Sequence, residues 1–204
     1  MKTLVLIDVQ NDFMPGGALA VPEGDKIIAV INAMIGKFDL VVATQDWHPA
    51  SHKSFASNHL EKEIFQTIDL NGLEQKLWPN HCVQGTKGAE FHPDLEMKAV
   101  EAIFRKGMDP EVDSYSGFYD NGRRKSTGLA GYLKKKAAGE LFFCGLAADI
   151  CVYFSMMDSL KEGFSTTFIE DASKPLDADN FENVKSEMQK KGIKIISTSA
   201  LKKN

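Results

Sequence analysis

Cys151 lies in Gly145-Leu146-Ala147-Ala148-Asp149-Ile150-Cys151-Val152, just after the apolar run Leu141-Phe142-Phe143-Cys144. The pattern predicts a buried strand, a tight turn of small residues and the first turn of a helix. A thiol at a helix N-terminus feels the positive end of the helix dipole and its unpaired N–H groups, which predicts a low-pKa nucleophile. The same N–H groups can hold an oxyanion. The competing reading is a buried structural cysteine, the common fate of a free thiol.

Three other places could supply the remaining chemistry. In Leu6-Ile7-Asp8-Val9-Gln10-Asn11-Asp12-Phe13, an acid ends an apolar run, which is costly unless it is paired or working. Asp8 could take a thiol proton and return it to a leaving group, or it could cap a loop. Phe13 could wall a ring-shaped ligand or belong to the core. In Asp46-Trp47-His48, the acid and the imidazole are two apart and point to one side of an extended chain. A third ligand from His81, in Trp78-Pro79-Asn80-His81-Cys82-Val83, would complete an Asp/His/His site with open positions, as catalytic divalent ions require. Zinc is the default ion, with Fe2+ or Mn2+ as alternatives. His52 and Cys82 are rival ligands, and two polar loop residues are the ordinary alternative for the Asp-x-His pair. His59 and His92 carry no pattern and are expected on the surface. Lys106 ends the run Ile103-Phe104-Arg105 and could hold a carboxylate and a thiolate ionised, or simply be solvated.

These groups need a scaffold that brings them to one edge. Short apolar runs at 2–7, 40–44, 102–106, 140–144, 165–169 and 194–197 alternate with amphipathic stretches at 23–37, 128–138, 150–162 and 179–191. Most runs lack period-2 alternation, as in strands covered on both faces. The alternation predicts an α/β fold with a parallel sheet between helices. Ligands bind such sheets at the carboxyl ends of strands, where Asp8, Asp46, Lys106 and the 147–151 turn all fall. Residues 45–100 are irregular and are expected to form an excursion over the site, within one domain spanning 1–204.

The 204 residues carry 24 Lys and Arg against 28 Asp and Glu, a net charge of −4. That balance gives no nucleic-acid footprint, and Lys134, Lys135 and Lys136 read as a solvated helix face. Three irregularly spaced cysteines make no disulfide framework and fit a reducing cytoplasm. The first apolar run is too short for a signal peptide or a membrane span, so no membrane partner is expected.

Taken in order, Asp8 in D-x-Q-N-D-F, Asp46-Trp47-His48, W-P-x-H-C-V at 78–83, Lys106 and G-L-A-A-D-I-C-V at 145–152 resemble the nicotinamidases, of the isochorismatase-like cysteine-hydrolase superfamily. The resemblance covers nearly the whole chain. It implies a six-stranded parallel sheet in a three-layer α/β/α sandwich and a catalytic triad of Asp8, Lys106 and Cys151. It also implies a metal on Asp46, His48 and His81, and a cis Leu146–Ala147 peptide with oxyanion donors at Ala147 and Cys151. Phe13 and Trp78 would sandwich a pyridine ring, and Tyr115 would close the pocket. The implied reaction is hydrolysis of nicotinamide to nicotinate and ammonia in NAD salvage; a homo-oligomer is left open. The rivals are a metal-independent carboxamide or carbamoyl hydrolase of the same superfamily and, from another class, a non-catalytic zinc-binding or thiol-sensing protein.

Overall fold

The computed structural model describes residues 1–201; residues 202–204, the end of the expected domain, lie outside the described residues. All six predicted strands form. They are β1 (Lys2–Ile7), β2 (Leu40–Asp46), β5 (Ala102–Lys106), β6 (Glu140–Leu146), β7 (Ser165–Lys174) and β8 (Lys194–Ile196). They make one parallel sheet in the order β5-β2-β1-β6-β7-β8. The chain runs outward from β1 through β2 to β5, then returns to the other side of β1 with β6. That reversal puts the topological switch point between β1 and its neighbours, where the carboxyl ends open a crevice.

Alternate residues of β1 enter different cores. Leu4 and Leu6 pack with Ile27, Ile31 and Met34 of α1 (Ile27–Met34) on one face. Val5 and Ile7 pack on the other with Leu129 and Leu133 of α2 (Leu129–Lys135), Met156 of α3 (Tyr153–Lys161) and Met188 of α4 (Phe181–Lys190). The layers are therefore α/β/α, as expected. The apolar 3.6-residue stripe of each helix is what holds it to its sheet face. Each helix is shorter than its predicted stretch; at α1 the ends are taken up by the tight single turns Gly24–Lys26 and Ile35–Lys37.

The stretch 45–100 is more ordered than its composition suggested. It contains an antiparallel hairpin of β3 (Thr67–Leu70) and β4 (Leu73–Lys76). Asn71 (φ 54°) and Gly72 (φ 81°) form its two-residue turn with left-handed backbone at both positions, the geometry that matches strand twist. The Asn-Gly pair was the available signal, and the alternation around it was too polar to stand out.

Register fixes the site. Pairing of β2 with β5 puts Asp46 opposite Lys106, and pairing of β1 with β6 puts Ile7 opposite Gly145. Gly145 has φ +124°, and a Cβ there would overlap the Ile7 carbonyl. Gly145→Ala should therefore destabilise the protein by about 2 kcal/mol or more, because both backbone strain and steric overlap oppose it. The urea midpoint of unfolding checks this; an unchanged midpoint would contradict the tight β1–β6 approach.

Candidate active site

Four neighbouring strands each deliver one component at their carboxyl ends. Asp8 follows β1, Asp46 ends β2, Lys106 ends β5, and the turn holding Cys151 follows β6. Lys106 is buried at their centre, and its ammonium has three hydrogens to place. They go to Asp46 Oδ1 at 2.6 Å, the Ser114 carbonyl at 2.9 Å and Cys151 Sγ at 3.6 Å. Asp8 Oδ2 lies 2.9 Å from the same nitrogen as an ion pair but has no aligned hydrogen bond among the described residues. Its other oxygen accepts from Thr44 Oγ1 at 2.6 Å. The Asp8 carboxylate and the Cys151 sulfur lie within 4.8 Å of each other. Asp8 thus holds a buried oxygen, paired with the lysine ammonium alone, beside a thiol.

The protonation preferences diverge. Asp46 is pulled well below the ordinary carboxylate range: burial opposes its charge, but Lys106 and His48 outweigh that cost. Asp8 is pushed up, since burial outweighs the same lysine and Asp46 adds repulsion. Lys106 stays charged in spite of burial because Asp46 and Asp8 face it. One carboxylate is therefore fixed as an anion and its neighbour is ready to accept a proton, the separation that marks acid–base sites.

Cys151 departs from expectation. Burial pushes its thiol well above the ordinary range, opposed by Lys106 and reinforced by Asp8 and Asp46. The low-pKa thiol expected from a helix N-terminus is not present: the turn there is a single wide π-helical turn, Ala148–Val152, sunk beneath two carboxylates. The Leu146–Ala147 peptide is cis, as the resemblance implied.

Beside this cluster, Asp46, His48 and His81 bring ligand atoms within 4.8 Å of one another, all buried. His48 Nδ1 donates to the Gly107 carbonyl at 2.9 Å, and His81 Nδ1 donates to the Pro79 carbonyl at 2.8 Å. A carbonyl can only accept, so both rings carry a hydrogen on Nδ1 and turn Nε2 inward. Those Nε2 atoms lie 3.4 and 3.6 Å from Asp46 Oδ2. Burial opposes a charge on His48 but Asp46 outweighs it and pushes its pKa up, so positive charge is favoured between this carboxylate and the inward-facing nitrogens, and a divalent ion would supply it. The residues therefore fit a divalent ion. The rival ligands fare differently. His52 is buried against His48, 4.5 Å between ring centroids, and forms a second trio with His48 and Asp113. Cys82 is buried but joins no such trio among the described residues, and burial pushes its thiol up. His59 and His92 are half-buried rather than fully exposed.

A small, partly enclosed cavity opens beside both clusters. Phe13, Trp78, Tyr115, Ala147 and Cys151 line it, with Asp46 and His81. The sequence reading missed Leu19, Val21, Asp113, Ser114, Ile150 and Leu176, which also line it. These lie mostly in irregular chain and carry no periodicity. Gln75, on the unforeseen hairpin, holds this wall by donating to Asp113 Oδ2 at 2.9 Å and to Tyr115 Oη at 3.2 Å.

The isochorismatase domain model matches residues 2–200. A nicotinamidase of Acinetobacter baylyi is 46% identical over 96% of this chain and 92% of its own length. A solved nicotinamidase/pyrazinamidase of Acinetobacter baumanii superposes with a TM-score of 0.95 at 46% identity, covering 98% of each chain. A pyrazinamidase of Pyrococcus horikoshii, solved in complex with zinc, superposes with a TM-score of 0.79 at 40% identity, covering 96% of this chain and 98% of that one. The chain belongs to the isochorismatase family and, within it, to the nicotinamidases.

Of the three cysteines, only Cys151 lines the cavity, whereas Cys82 and Cys144 are wholly buried. A small alkylating reagent should label Cys151 first in the folded protein, by mass spectrometry of partly labelled samples. Equal labelling of Cys144 would contradict the geometry.

Proposed function

We propose that this chain hydrolyses nicotinamide to nicotinate and ammonia through a cysteine thioester, with Asp8, Lys106 and Cys151 as the catalytic triad. Residues 1–204 act as one hydrolase domain, with 45–100 crossing over the site; the family match over 2–200 supports that extent. The observation that carries the reading is a cavity walled by aromatic rings and lined by the Cys151 thiol and by Asp46 and His81, with the Asp8 carboxylate within 4.8 Å of that sulfur and His48 completing the ligand trio behind.

Phe13 and Trp78 flank the pyridine ring, and Tyr115 closes the pocket around it. Asp46, His48 and His81 hold a divalent ion, zinc by default. When bound, that ion supplies a Lewis acid for the ring nitrogen and so orients the substrate. The zinc complex of the similar pyrazinamidase supports a metal here.

Asp8 Oδ2 takes the Cys151 proton, which the high thiol pKa requires of a base at the moment of attack. The sulfur adds to the carboxamide carbon, and the carbonyl electron pair moves to oxygen. The N–H groups of Ala147 and Cys151 hold that oxyanion, each worth about 3 kcal/mol. Lys106 stabilises the sulfur and both carboxylates as charge moves among them. Asp8 then gives its proton to the amide nitrogen, the C–N bond breaks and ammonia leaves. Water attacks the thioester carbon with Asp8 again as base. The C–S bond breaks, the sulfur recovers its proton from Asp8, and the product leaves as the carboxylic acid, which gives up its proton to water or to the released ammonia to become nicotinate.

Cys151→Ala should lower turnover by about 10⁴-fold or more, with nicotinamide affinity retained; Cys151→Ser should not restore it, an alkoxide being far harder to form. Single-site kinetics and calorimetric binding test this, and substantial activity in pure Cys151→Ala protein would overturn the thioester. Benzamide lacks the ring nitrogen and should turn over about 100-fold more slowly, through misplacement alone. A chelated enzyme that hydrolyses both amides alike would favour the metal-independent amidase instead.

A further inference from the structure

The segment that begins with Asp8 carries three further polar side chains: Asn11 donates to the Lys87 carbonyl, while Gln10 and Asp12 reach the ligand-bearing elements. The mechanism uses none of them. Gln10 and Asp12 turn away from the cavity and grip the backbone of the elements that bear the ligand trio.

Gln10 is wholly buried. Its Oε1 accepts the Asp46 N–H at 2.8 Å, and its Nε2 donates to the Asp46 carbonyl at 2.8 Å. One side chain thus occupies both backbone groups of a ligand residue, as a neighbouring strand would. The second Nε2 hydrogen goes to the Ala89 carbonyl at 2.8 Å. The amide orientation is fixed, because two carbonyls demand the NH₂ and one N–H demands the oxygen.

Asp12 Oδ2 accepts the Cys82 N–H at 2.7 Å. Cys82 directly follows His81 and has left-handed backbone, φ 47°. Its carbonyl in turn accepts the His48 N–H at 3.0 Å. The Asp12 carboxylate therefore anchors a residue whose backbone links the two histidines. Gly88 packs against that carboxylate so closely that a Cβ there would overlap it.

We infer that Gln10 and Asp12 are positioning residues that hold the Asp46, His48 and His81 backbones in register for metal. Outer partners of this kind are typically worth about 10–100-fold in metal affinity. The inference rests on the proposed metal trio.

The test uses full-length protein and zinc alone. Zinc affinity is measured by competition with a chromogenic chelator, and the unfolding midpoint is measured separately in excess chelator. Gln10→Met and Asp12→Ala should each weaken zinc by about 10–100-fold in protein that is still folded. Asp12→Asn keeps an acceptor oxygen for the Cys82 N–H and should recover most of the affinity. Gly88→Ala leaves the Asp12 side chain intact but displaces it, and should weaken zinc as Asp12→Ala does. A role in stability alone would lower the midpoint and leave zinc affinity at the wild-type value, which overturns the inference. So would Asp12→Asn binding zinc as poorly as Asp12→Ala. If Gln10→Met or Asp12→Ala fails to fold, the comparison of Asp12→Asn with Gly88→Ala decides. His81→Ala separates the two failures: wild-type zinc binding in that variant would sink the metal trio itself. Loss of zinc there, with full affinity in the others, would sink only the positioning role.

Discussion

The buried ammonium of Lys106 is the interaction on which the site depends. Two carboxylates, Asp8 and Asp46, sit within a few ångströms of each other with almost no solvent. Neither could stay ionised there alone, and together they would repel. Lys106 lies 2.9 Å from one and 2.6 Å from the other. Burying such a group is costly, and the cost is offset only by good geometry and satisfied hydrogens. The parallel register of β2 and β5 provides that geometry by setting Lys106 directly opposite Asp46. The lysine's third hydrogen then reaches the Cys151 sulfur. A strand pairing thus becomes the electrostatic frame of the chemistry.

That frame divides the labour between the acids. Asp46 hydrogen-bonds to Lys106 through Oδ1 and faces two imidazoles with Oδ2, so it remains an anion suited to a cation. Asp8 shares the lysine only as an ion pair and keeps one oxygen without an aligned donor. It is the natural acceptor for a thiol whose own burial disfavours ionisation. The proton therefore has a defined place before and after attack. Gln10 and Asp12 extend the same logic outward, tying the segment that bears the base to the backbone of the ligand trio.

The sheet was legible because its strands are apolar runs covered on both faces, and all six run where those runs lie. The residues at strand ends were legible because charged groups closing an apolar run are rare without a partner. Roles for Ala147, Trp78 and Tyr115 came from the family resemblance, not from local pattern. The β3–β4 hairpin escaped notice because most of its residues are polar, leaving Asn71-Gly72 as the sole cue. Leu19, Val21 and Leu176 escaped because irregular chain has no period to read. The thiol expectation failed for a different reason. A one-dimensional pattern shows that Cys151 opens a helix, but not how deeply the turn is buried or that two acids from distant strands face it.

The most direct test of Lys106 as the shared counter-ion is a double-mutant cycle in urea unfolding. Lys106→Met should destabilise the protein by about 3–5 kcal/mol, because it leaves buried carboxylates unpaired. Adding Asp8→Asn to that background should recover part of the loss, giving a coupling energy of at least about 1 kcal/mol between the two sites. Effects of the two substitutions that add to within about 0.5 kcal/mol would contradict the account, since residues that share a buried charge cannot act independently.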